Sequence, residues 1–277
     1  MSQLSSLAHL QEEIRERYDS LSKRLKQVAK YVLDNEQSII FDTVATIAEQ
    51  ANVPPSTLIR FSNAFGFSGF NEMKQIFRQN LMENTPSYTE RLQISRKLLN
   101  EAPDEESAVN ILSVFSQANA LALQQFPSQV EQSELEKAVD ILNKANNIFI
   151  VGLKRSFSVA CYLDYALHHL DCRSFIINGI GGMFDEQLNQ VHENDVIVAI
   201  SFSPYAKETI DILNITAQRG IKQIAITDSQ ISPLLSFSDA SFVIKEAQVK
   251  GFRSQCLTMT LVQTLAIALG LEKEKTL

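Results

Sequence analysis

The stretch VATIAEQANVPPSTLIRF, residues 44–61, predicts two short helices separated by a sharp turn. A helix-turn-helix unit buries apolar side chains between its two helices. Six residues have the spacing for that role: Ile47, Ala48, Ala51, Val53, Leu58 and Phe61. Asn52 stands where the turn requires a left-handed backbone, which asparagine adopts more readily than most residues. The stretch therefore favours a helix-turn-helix.

The second helix of such a unit presents its amino-terminal half to the major groove of DNA. This geometry makes Ser56, Thr57 and Arg60 candidate DNA contacts, and Asn63 a further one. The two hydroxyls also suit the start of a helix, where they cap it or meet a phosphate. Lys74, in the next predicted helix, is expected to grip the DNA backbone. A plain helical hairpin that packs against something else is the alternative.

The charge of the chain bears on this interpretation. The formal net charge is −7 over 277 residues, which argues against nucleic acid because phosphate binding normally requires a basic surface. A DNA-binding domain needs only a local basic face, and one predicted helix carries Lys23, Arg24, Lys26 and Lys30. The same cluster is also compatible with a solvated helix face.

After Asn147 the pattern changes to short apolar runs that alternate with helices. The runs are NIFIVG (147–152), RSFII (173–177), DVIVAIS (195–201), KQIAIT (222–227) and SFVI (241–244). Strands that are apolar throughout and separated by helices are typical of a parallel sheet covered on both faces. The second half therefore predicts an α/β, three-layer, doubly wound domain behind an all-α amino-terminal domain.

We predict three segments: a helix-turn-helix domain over 1–82, a helical connector over 83–144 and the α/β domain over 145–277. No stretch approaches the roughly 20 apolar residues of a membrane-spanning helix, and the amino terminus lacks the features of a signal peptide. Three scattered cysteines have no metal-ligand spacing. We expect a cytoplasmic protein with no membrane contact, no metal and no cofactor.

Two loops of the predicted sheet suit an anionic ligand. Ligands of doubly wound sheets bind beyond the carboxyl ends of the strands, where helix amino termini attract anions. The first strand ends in Gly152-Leu-Lys-Arg-Ser156, and the third in Ser201-Phe-Ser-Pro-Tyr205. A hydroxyl at each helix start, with a base nearby, is what a phosphorylated polyol requires. The serines are equally compatible with a purely capping role.

The run STLIRFSNAFGFSGFNEMKQ, residues 56–75, resembles a segment of the RpiR/MurR-type transcriptional regulators. Ser-Thr, Arg-Phe, Gly-Phe and Lys follow in the same order in that family, and the likeness covers about residues 20–80. The resemblance implies an amino-terminal helix-turn-helix and a DNA-contacting role for Ser56, Thr57, Arg60 and Lys74.

The second half resembles the SIS domain, a sugar-isomerase-type fold of five parallel strands that RpiR-type regulators carry carboxy-terminally. The likeness rests on GLKRS (152–156), DVIVAISFS (195–203) and ITDSQISPLLSFSDASFVI (226–244), and covers about residues 145–270. It implies that Ser156, Ser201 and Ser203 bind the phosphate of a phosphosugar.

Two loops depart from the family's pattern. Where the family has Ser-x-Ser-Gly-x-Thr, this chain has Pro204 and Ala206, so that one hydroxyl and one backbone N–H are missing. A second glycine common in the first loop, after Gly152, is replaced by Lys154. Arg155, Lys207 and Lys154 itself are candidates to supply the missing anion binding, so the effector is predicted to be a phosphosugar or a sugar acid.

The sequence thus predicts a transcriptional regulator, a homodimer or homotetramer on operator DNA, whose DNA affinity is controlled by this effector. A sugar-phosphate isomerase is one alternative and needs a catalytic base, for which Glu186, His192 and Glu208 are candidates. No arrangement of these residues requires catalysis, however, and an isomerase has no evident need for residues 20–80. We therefore predict no enzymatic activity. A phosphosugar-dependent protein adaptor is the other alternative.

Overall fold

The computed structural model describes residues 7–85, 87–99 and 107–275. Its contacts divide the chain into two compact units, Met1–Glu106 and Ser107–Leu277. The segment predicted as a separate connector is shared between them. Leu98 packs against the core of the first unit, whereas Phe126 and Leu142 belong to the core of the second. Parts of the predicted connector thus pack into the domain that each one adjoins.

The first unit is helical over its described residues. Its helices are α1 (Leu7–Arg17), α2 (Lys23–Asp34), α3 (Glu36–Phe41), α4 (Val44–Gln50), α5 (Pro55–Ala64), α6 (Phe70–Asn84) and α7 (Tyr88–Leu99). Helix α2 packs against α5, and α3 packs against α6. The largest fully buried side chains of its core are Leu10, Ile14, Ile39, Ile47, Leu58, Phe61, Met73 and Phe77. The predicted all-α domain is confirmed.

The second unit is an α/β domain. Its elements are α8 (Ala108–Gln125), α9 (Gln132–Lys144), β1 (Ile148–Val151), α10 (Phe157–His168), β2 (Ser174–Ile176), α11 (Phe184–Leu188), β3 (Val196–Ile200), α12 (Lys207–Gln218), β4 (Lys222–Thr227), β5 (Ala240–Val243), β6 (Gln248–Val249), β7 (Phe252–Arg253) and α13 (Cys256–Glu274). Strands β1 to β5 form a parallel sheet in the order β2-β1-β3-β4-β5. The five predicted strands are confirmed, and an antiparallel β6–β7 hairpin is added.

Alternate residues of the strands point to opposite faces of this sheet, and both faces are buried. Ile148 and Ile150 join the core under α9, α10 and α13, whereas Phe149 and Val151 join the core under α11 and α12. Because neither face of the central strands meets water, β1 and β3 are apolar at every position. The doubly wound, three-layer architecture follows.

Helix α13 has an unusual composition for the second unit. Within the described ranges it is the one helix long and apolar enough, by length and composition, to cross a membrane. The expectation that no segment has this character is wrong for residues 256–274. Its buried residues, among them Leu261, Val262 and Leu265, pack in the core under the sheet. Packing inside the domain accounts for this buried face, whereas Ile267 and Leu271 of the same helix are exposed.

Candidate DNA-binding and ligand-binding sites

The turn between α4 and α5 is built as the sequence predicts. Asn52 adopts a left-handed backbone with φ of +53°, and the Val53 N–H donates to the Ala48 carbonyl at 2.9 Å. Thr43 caps α4 by accepting from the Thr46 N–H at 3.1 Å. The side chains that pack the two helices against each other are buried: Ile47, Ala48, Ala51, Val53, Leu58 and Phe61.

Helix α5 keeps one face exposed. Ser56, Ile59, Arg60 and Asn63 lie on it, at spacings of three and four residues. Ile59 is 49% exposed, and it was not among the predicted contacts because an isoleucine in an amphipathic helix usually indicates core. Its position beside Arg60, out of step with the buried Leu58 and Phe61, is the signal that could have found it.

Asn63 is partly committed to the fold. Its amide nitrogen, in the orientation that satisfies its neighbours, donates to the carbonyl oxygens of Ile59 and Phe67 at 3.3 and 2.9 Å. These bonds tie the end of α5 to the following turn. Ser56, Ile59 and Arg60 are therefore the residues of this face that are available for contact with another molecule.

Two predicted DNA contacts lie inside the domain instead. Thr57 is fully buried, and Lys74 is only 3% exposed. The Lys74 ammonium donates to the carbonyl of Asp42, just after α3. Burial, and then the nearby charge of Arg78, lower the pKa of Lys74 to about 8. We therefore leave Thr57 and Lys74 out of the contact set, because their side chains serve the packing of the domain.

Arg78 takes part in the same arrangement. Its Nε donates to the carbonyl of Ile40 at 3.1 Å, inside the last turn of α3. The last carbonyls of a helix lack partners within it and carry partial negative charge, so cations are favoured there. Lys74 and Arg78 thus cap the carboxyl end of α3, directly before the helix-turn-helix begins.

The cations predicted on α2 lie on the helix that packs against α5. Lys23, Arg24 and Lys30 are exposed. Lys26 is half-buried, with its ammonium 3.8 Å from the Asp19 carboxylate. Three of the four predicted cations are thus accessible to an anionic partner.

The ligand site follows from the strand order. The sheet order reverses between β1 and β3, since the chain leaves β1 for β2 on one side and β3 for β4 on the other. Val151 pairs with Ala199, so the loops Gly152–Ser156 and Ser201–Tyr205 leave adjacent strand ends. Doubly wound sheets bind ligands at this switch point. The predicted serines are brought to one edge of the sheet.

The loop after β1 is tightly packed. A Cβ added to Gly152 would lie 2.9 Å from both the Ala160 Cβ and the Ser156 carbonyl oxygen, so glycine is required there by contact with α10. Ser156 is buried, whereas Lys154 is exposed and has a φ of +55°. The Arg155 carbonyl accepts a hydrogen bond from the side chain of Gln255, next to α13. This loop thus buries Ser156 at the carboxyl edge of the sheet and leaves Lys154 exposed to solvent.

The loop after β3 contains the other two predicted serines. Ser201 is buried and Ser203 is half-buried. Lys207 lies beyond the loop on α12, is exposed, and donates to the Asp211 carboxylate at 3.0 Å. That hydrogen bond raises the pKa of Lys207. Lys207 thus pairs with a carboxylate along its own helix.

A network of polar side chains that sequence reasoning missed lies at this loop. The Asp228 carboxylate, just after β4, accepts from the Ser203 N–H at 2.9 Å, from the Tyr205 hydroxyl at 2.9 Å and from Arg253 Nη1 at 3.3 Å. The Arg253 guanidinium also stacks 4.2 Å from the centre of the Phe202 ring. Burial, and then the Asp228 charge, raise the pKa of Tyr205 well above its usual value, so its phenol is a neutral donor.

The candidate catalytic bases do not all lie at the same edge of the sheet. Glu186, His192 and Glu208 are all exposed. His192 precedes β3 and so lies at the amino-terminal edge of the sheet, opposite the serine loops. Within the described ranges, no group of three or more His, Cys, Asp or Glu residues is placed to hold a metal ion.

Comparison with known proteins agrees with both halves of this architecture. Residues 8–84 match the helix-turn-helix domain of the rpiR family, and residues 141–268 match the SIS domain. The chain thus combines a helix-turn-helix domain of the rpiR type with a SIS domain. The second match begins in α9 and ends in α13, so it contains the whole sheet and both serine loops.

Relatives of this chain include longer proteins. It is 26% identical over 269 residues to the bifunctional protein glk of Burkholderia mallei, covering 95% of this chain and 40% of that protein. It is 26% identical over 223 residues to the HTH-type transcriptional regulator HexR of Pseudomonas aeruginosa, covering 80% and 74%. The chain thus spans about 40% of the length of the bifunctional relatives it matches.

A solved structure extends the likeness to the fold of both domains. The Vibrio vulnificus NanR protein, complexed with ManNAc-6P, superposes with a TM-score of 0.58 at 21% identity. The superposition covers 96% of this chain and 93% of NanR. At this identity the comparison speaks for the fold alone.

Proposed function

We propose that this protein is a DNA-binding transcriptional regulator whose operator affinity is controlled by an anionic carbohydrate bound in the SIS domain. The observation that carries the proposal is the presence in one chain of a helix-turn-helix scaffold with one exposed face on α5 and of two serine loops that meet at a sheet switch point. The relatives support the same assignment, because HexR is a named regulator and NanR holds a phosphorylated sugar.

Helix α5 is the element that enters the major groove. Arg60 is the residue suited to a guanine edge or a phosphate, and Ser56, in the first turn, is suited to a phosphate. Ile59 provides an apolar contact for the methyl group of thymine. The exposed cations of α2 extend the contact to neighbouring phosphates.

The regulator acts as a homo-oligomer, a dimer or a tetramer, and α8 is its candidate interface. This helix of 18 residues contains no charged residue, and none of its side chains is buried against the described parts of the chain. Val109, Leu112 and Leu121 are 73%, 67% and 59% exposed. Two copies of an uncharged helix can pair about a two-fold axis without like-charge repulsion, and apolar patches of this kind mark interaction sites.

The effector binds at the serine loops and changes the affinity for DNA. A ligand can do this only if it binds one arrangement of the protein better than another. Buried Ser156 and Ser201, together with Ser203, are the proposed hydroxyl ligands. Phosphosugars and sugar acids share the anionic group and the polyol that this cleft is suited to bind.

A gel-shift titration tests the DNA-binding assignment. We expect the wild-type protein to retain a duplex from its own upstream region at low ionic strength. Arg60→Ala should weaken this binding by about 1–3 kcal/mol, because it removes a charged contact in the groove. Arg15→Ala is the matched control, since Arg15 is exposed on α1 and should leave binding unchanged.

The alternatives predict different outcomes. A protein adaptor would show no duplex retention under any of these conditions, and an isomerase would interconvert aldose and ketose phosphates in a turnover assay. Either result would contradict the proposal. Equal binding by the wild type and Arg60→Ala would remove Arg60 from the contact set while keeping the regulator assignment.

A further inference from the structure

The loop after β3 lacks donors for an anion, and the cations near it in sequence do not replace them. Pro204 has no N–H and Ala206 has no hydroxyl. Lys154 is exposed, and Lys207 is paired with Asp211 on the surface of α12. A cation from a distant part of the chain reaches the loop instead.

That cation is Arg253, in the β6–β7 hairpin. Its side chain is 14% exposed, stacked on Phe202 of the loop and hydrogen-bonded to Asp228. A guanidinium presents several N–H groups in a fixed planar fork, which matches the oxygens of a phosphate or a carboxylate. Arg253 therefore places at the cleft the kind of donor that the loop lacks.

Asp228 already uses the donors that an anionic ligand would need. Its two carboxylate oxygens accept from a backbone N–H of the loop, from the Tyr205 hydroxyl and from Arg253. The same three groups would solvate a phosphate or carboxylate at the end of β3. In this structure the Asp228 carboxylate accepts from all three of these donors.

We propose that Arg253 binds the anionic group of the effector, and that Asp228 is an internal anion which the effector displaces from Arg253, the Ser203 N–H and Tyr205. This inference rests on the proposed function and names the regulation of the same site. Strand β6 packs against α8, so release of Arg253 from Asp228 alters the hairpin that lies against the proposed oligomer helix.

Calorimetric titration of the full chain with inorganic phosphate tests this assignment. Arg253→Gln should weaken phosphate binding at least about tenfold, since a hydrogen bond to a charged group is lost. Asp228→Asn should tighten it by about tenfold, because the competing charge disappears while the amide oxygen still accepts from the Ser203 N–H and the amide nitrogen can donate to the Tyr205 hydroxyl oxygen. Lys144→Gln, at the end of α9 and outside the network, is the matched control and should bind as the wild type does, since Lys144 is exposed and paired with Asp140 along its own helix.

A double variant distinguishes a loss of phosphate binding from a folding defect. Arg253→Gln alone leaves the Asp228 carboxylate without its counter-charge, whereas Asp228→Asn combined with Arg253→Gln leaves a neutral pair. We expect the double variant to keep the wild-type circular dichroism spectrum and to bind phosphate as weakly as Arg253→Gln. Repeating the titrations with gluconate shows whether a carboxylate is bound by the same residues.

Several results would overturn the assignment. They are wild-type affinity in the double variant, no gain in Asp228→Asn, or phosphate binding too weak to detect in both the wild type and Asp228→Asn. Operator binding without ligand is measured for every variant in parallel. Absence of duplex binding by the wild type would contradict the regulator proposal. The phosphate titrations test the roles of Arg253 and Asp228 independently of that result.

Discussion

The two domains use their cations in different ways. In the helical domain, Lys74 and Arg78 donate to carbonyls at the end of α3, whereas Arg60 is exposed on α5. The first two stabilise the scaffold, because helix carbonyls at that end have no partners within the helix. Only a cation that the fold does not use in this way is available to DNA.

The SIS domain holds its cation against a carboxylate. Arg253 lies in the cleft and is paired with Asp228, so its charge is balanced within the chain until another anion competes. A carboxylate partner can be exchanged for a ligand, whereas a helix carbonyl that is left without a donor is costly. The difference between the two regions is therefore a difference between fixed and exchangeable partners.

The largest expected effect concerns the two faces of α5. Phe61→Ala should lower the free energy of unfolding of the helical domain by about 3–5 kcal/mol, because it leaves a cavity in a fully buried site. Ile59→Ala, on the exposed face of the same helix, is the control and should change it by less than about 0.5 kcal/mol. Chemical denaturation followed by circular dichroism measures both. Similar losses in the two variants would contradict the assignment of the faces.

The fixed role of Lys74 predicts a pH dependence of stability. Its pKa in the folded chain is about 8, below the ordinary value of 10.5, so between these values the unfolded chain binds more protons. The free energy of unfolding should then rise with pH from about 8 to 10.5, by up to about 1.4 kcal/mol per pH unit. Below pH 8 both states are protonated and the contribution is flat.

Comparison with Lys74→Met isolates this contribution. The difference in unfolding free energy between the wild type and Lys74→Met should grow in favour of the wild type as the pH rises from 8 to 10.5. Lys30→Met, which removes an exposed lysine of α2, should run parallel to the wild type. Parallel curves for Lys74→Met as well would show that the ammonium is not buried as described.

The smallest expected effect concerns how α5 reads a base. If Ile59 contacts a thymine methyl, replacing that thymine by deoxyuridine should cost the wild type about 1 kcal/mol of operator affinity. Ile59→Ala should lose nothing further on the same replacement. Arg60→Ala should still lose the full amount, since its contact is a different one. An equal loss in the wild type and Ile59→Ala would exclude the methyl contact.

The helix-turn-helix was predictable because its determinants lie in one contiguous stretch. The buried positions from Ile47 to Phe61 and the left-handed Asn52 follow from local spacing and turn chemistry. The strands were predictable for a similar reason, since both faces of the sheet are covered and the central strands β1 and β3 are continuous apolar runs.

The fate of the polar side chains was not predictable in the same way. Lys74 reaches a carbonyl 32 residues earlier in the chain, and nothing in its local sequence distinguishes it from an exposed lysine. Arg253 lies on a hairpin of two-residue strands, too short for a periodic signal, and it meets Asp228 only through the tertiary fold. Local patterns thus specify the scaffold, whereas long-range contacts decide which cations can bind a ligand.

The central claim is that the serine loops control an intact DNA-binding head. Its most direct test is a fluorescence-anisotropy titration of a labelled upstream duplex, with and without the phosphosugar that most raises the protein's melting temperature. We expect the ligand to change wild-type affinity at least about fivefold. The double variant Ser201→Ala, Ser203→Ala should bind the duplex as the wild type does. Its affinity for the duplex should not change when the ligand is added. A double variant that still responds, or a wild type with no duplex affinity at low ionic strength, would contradict the account.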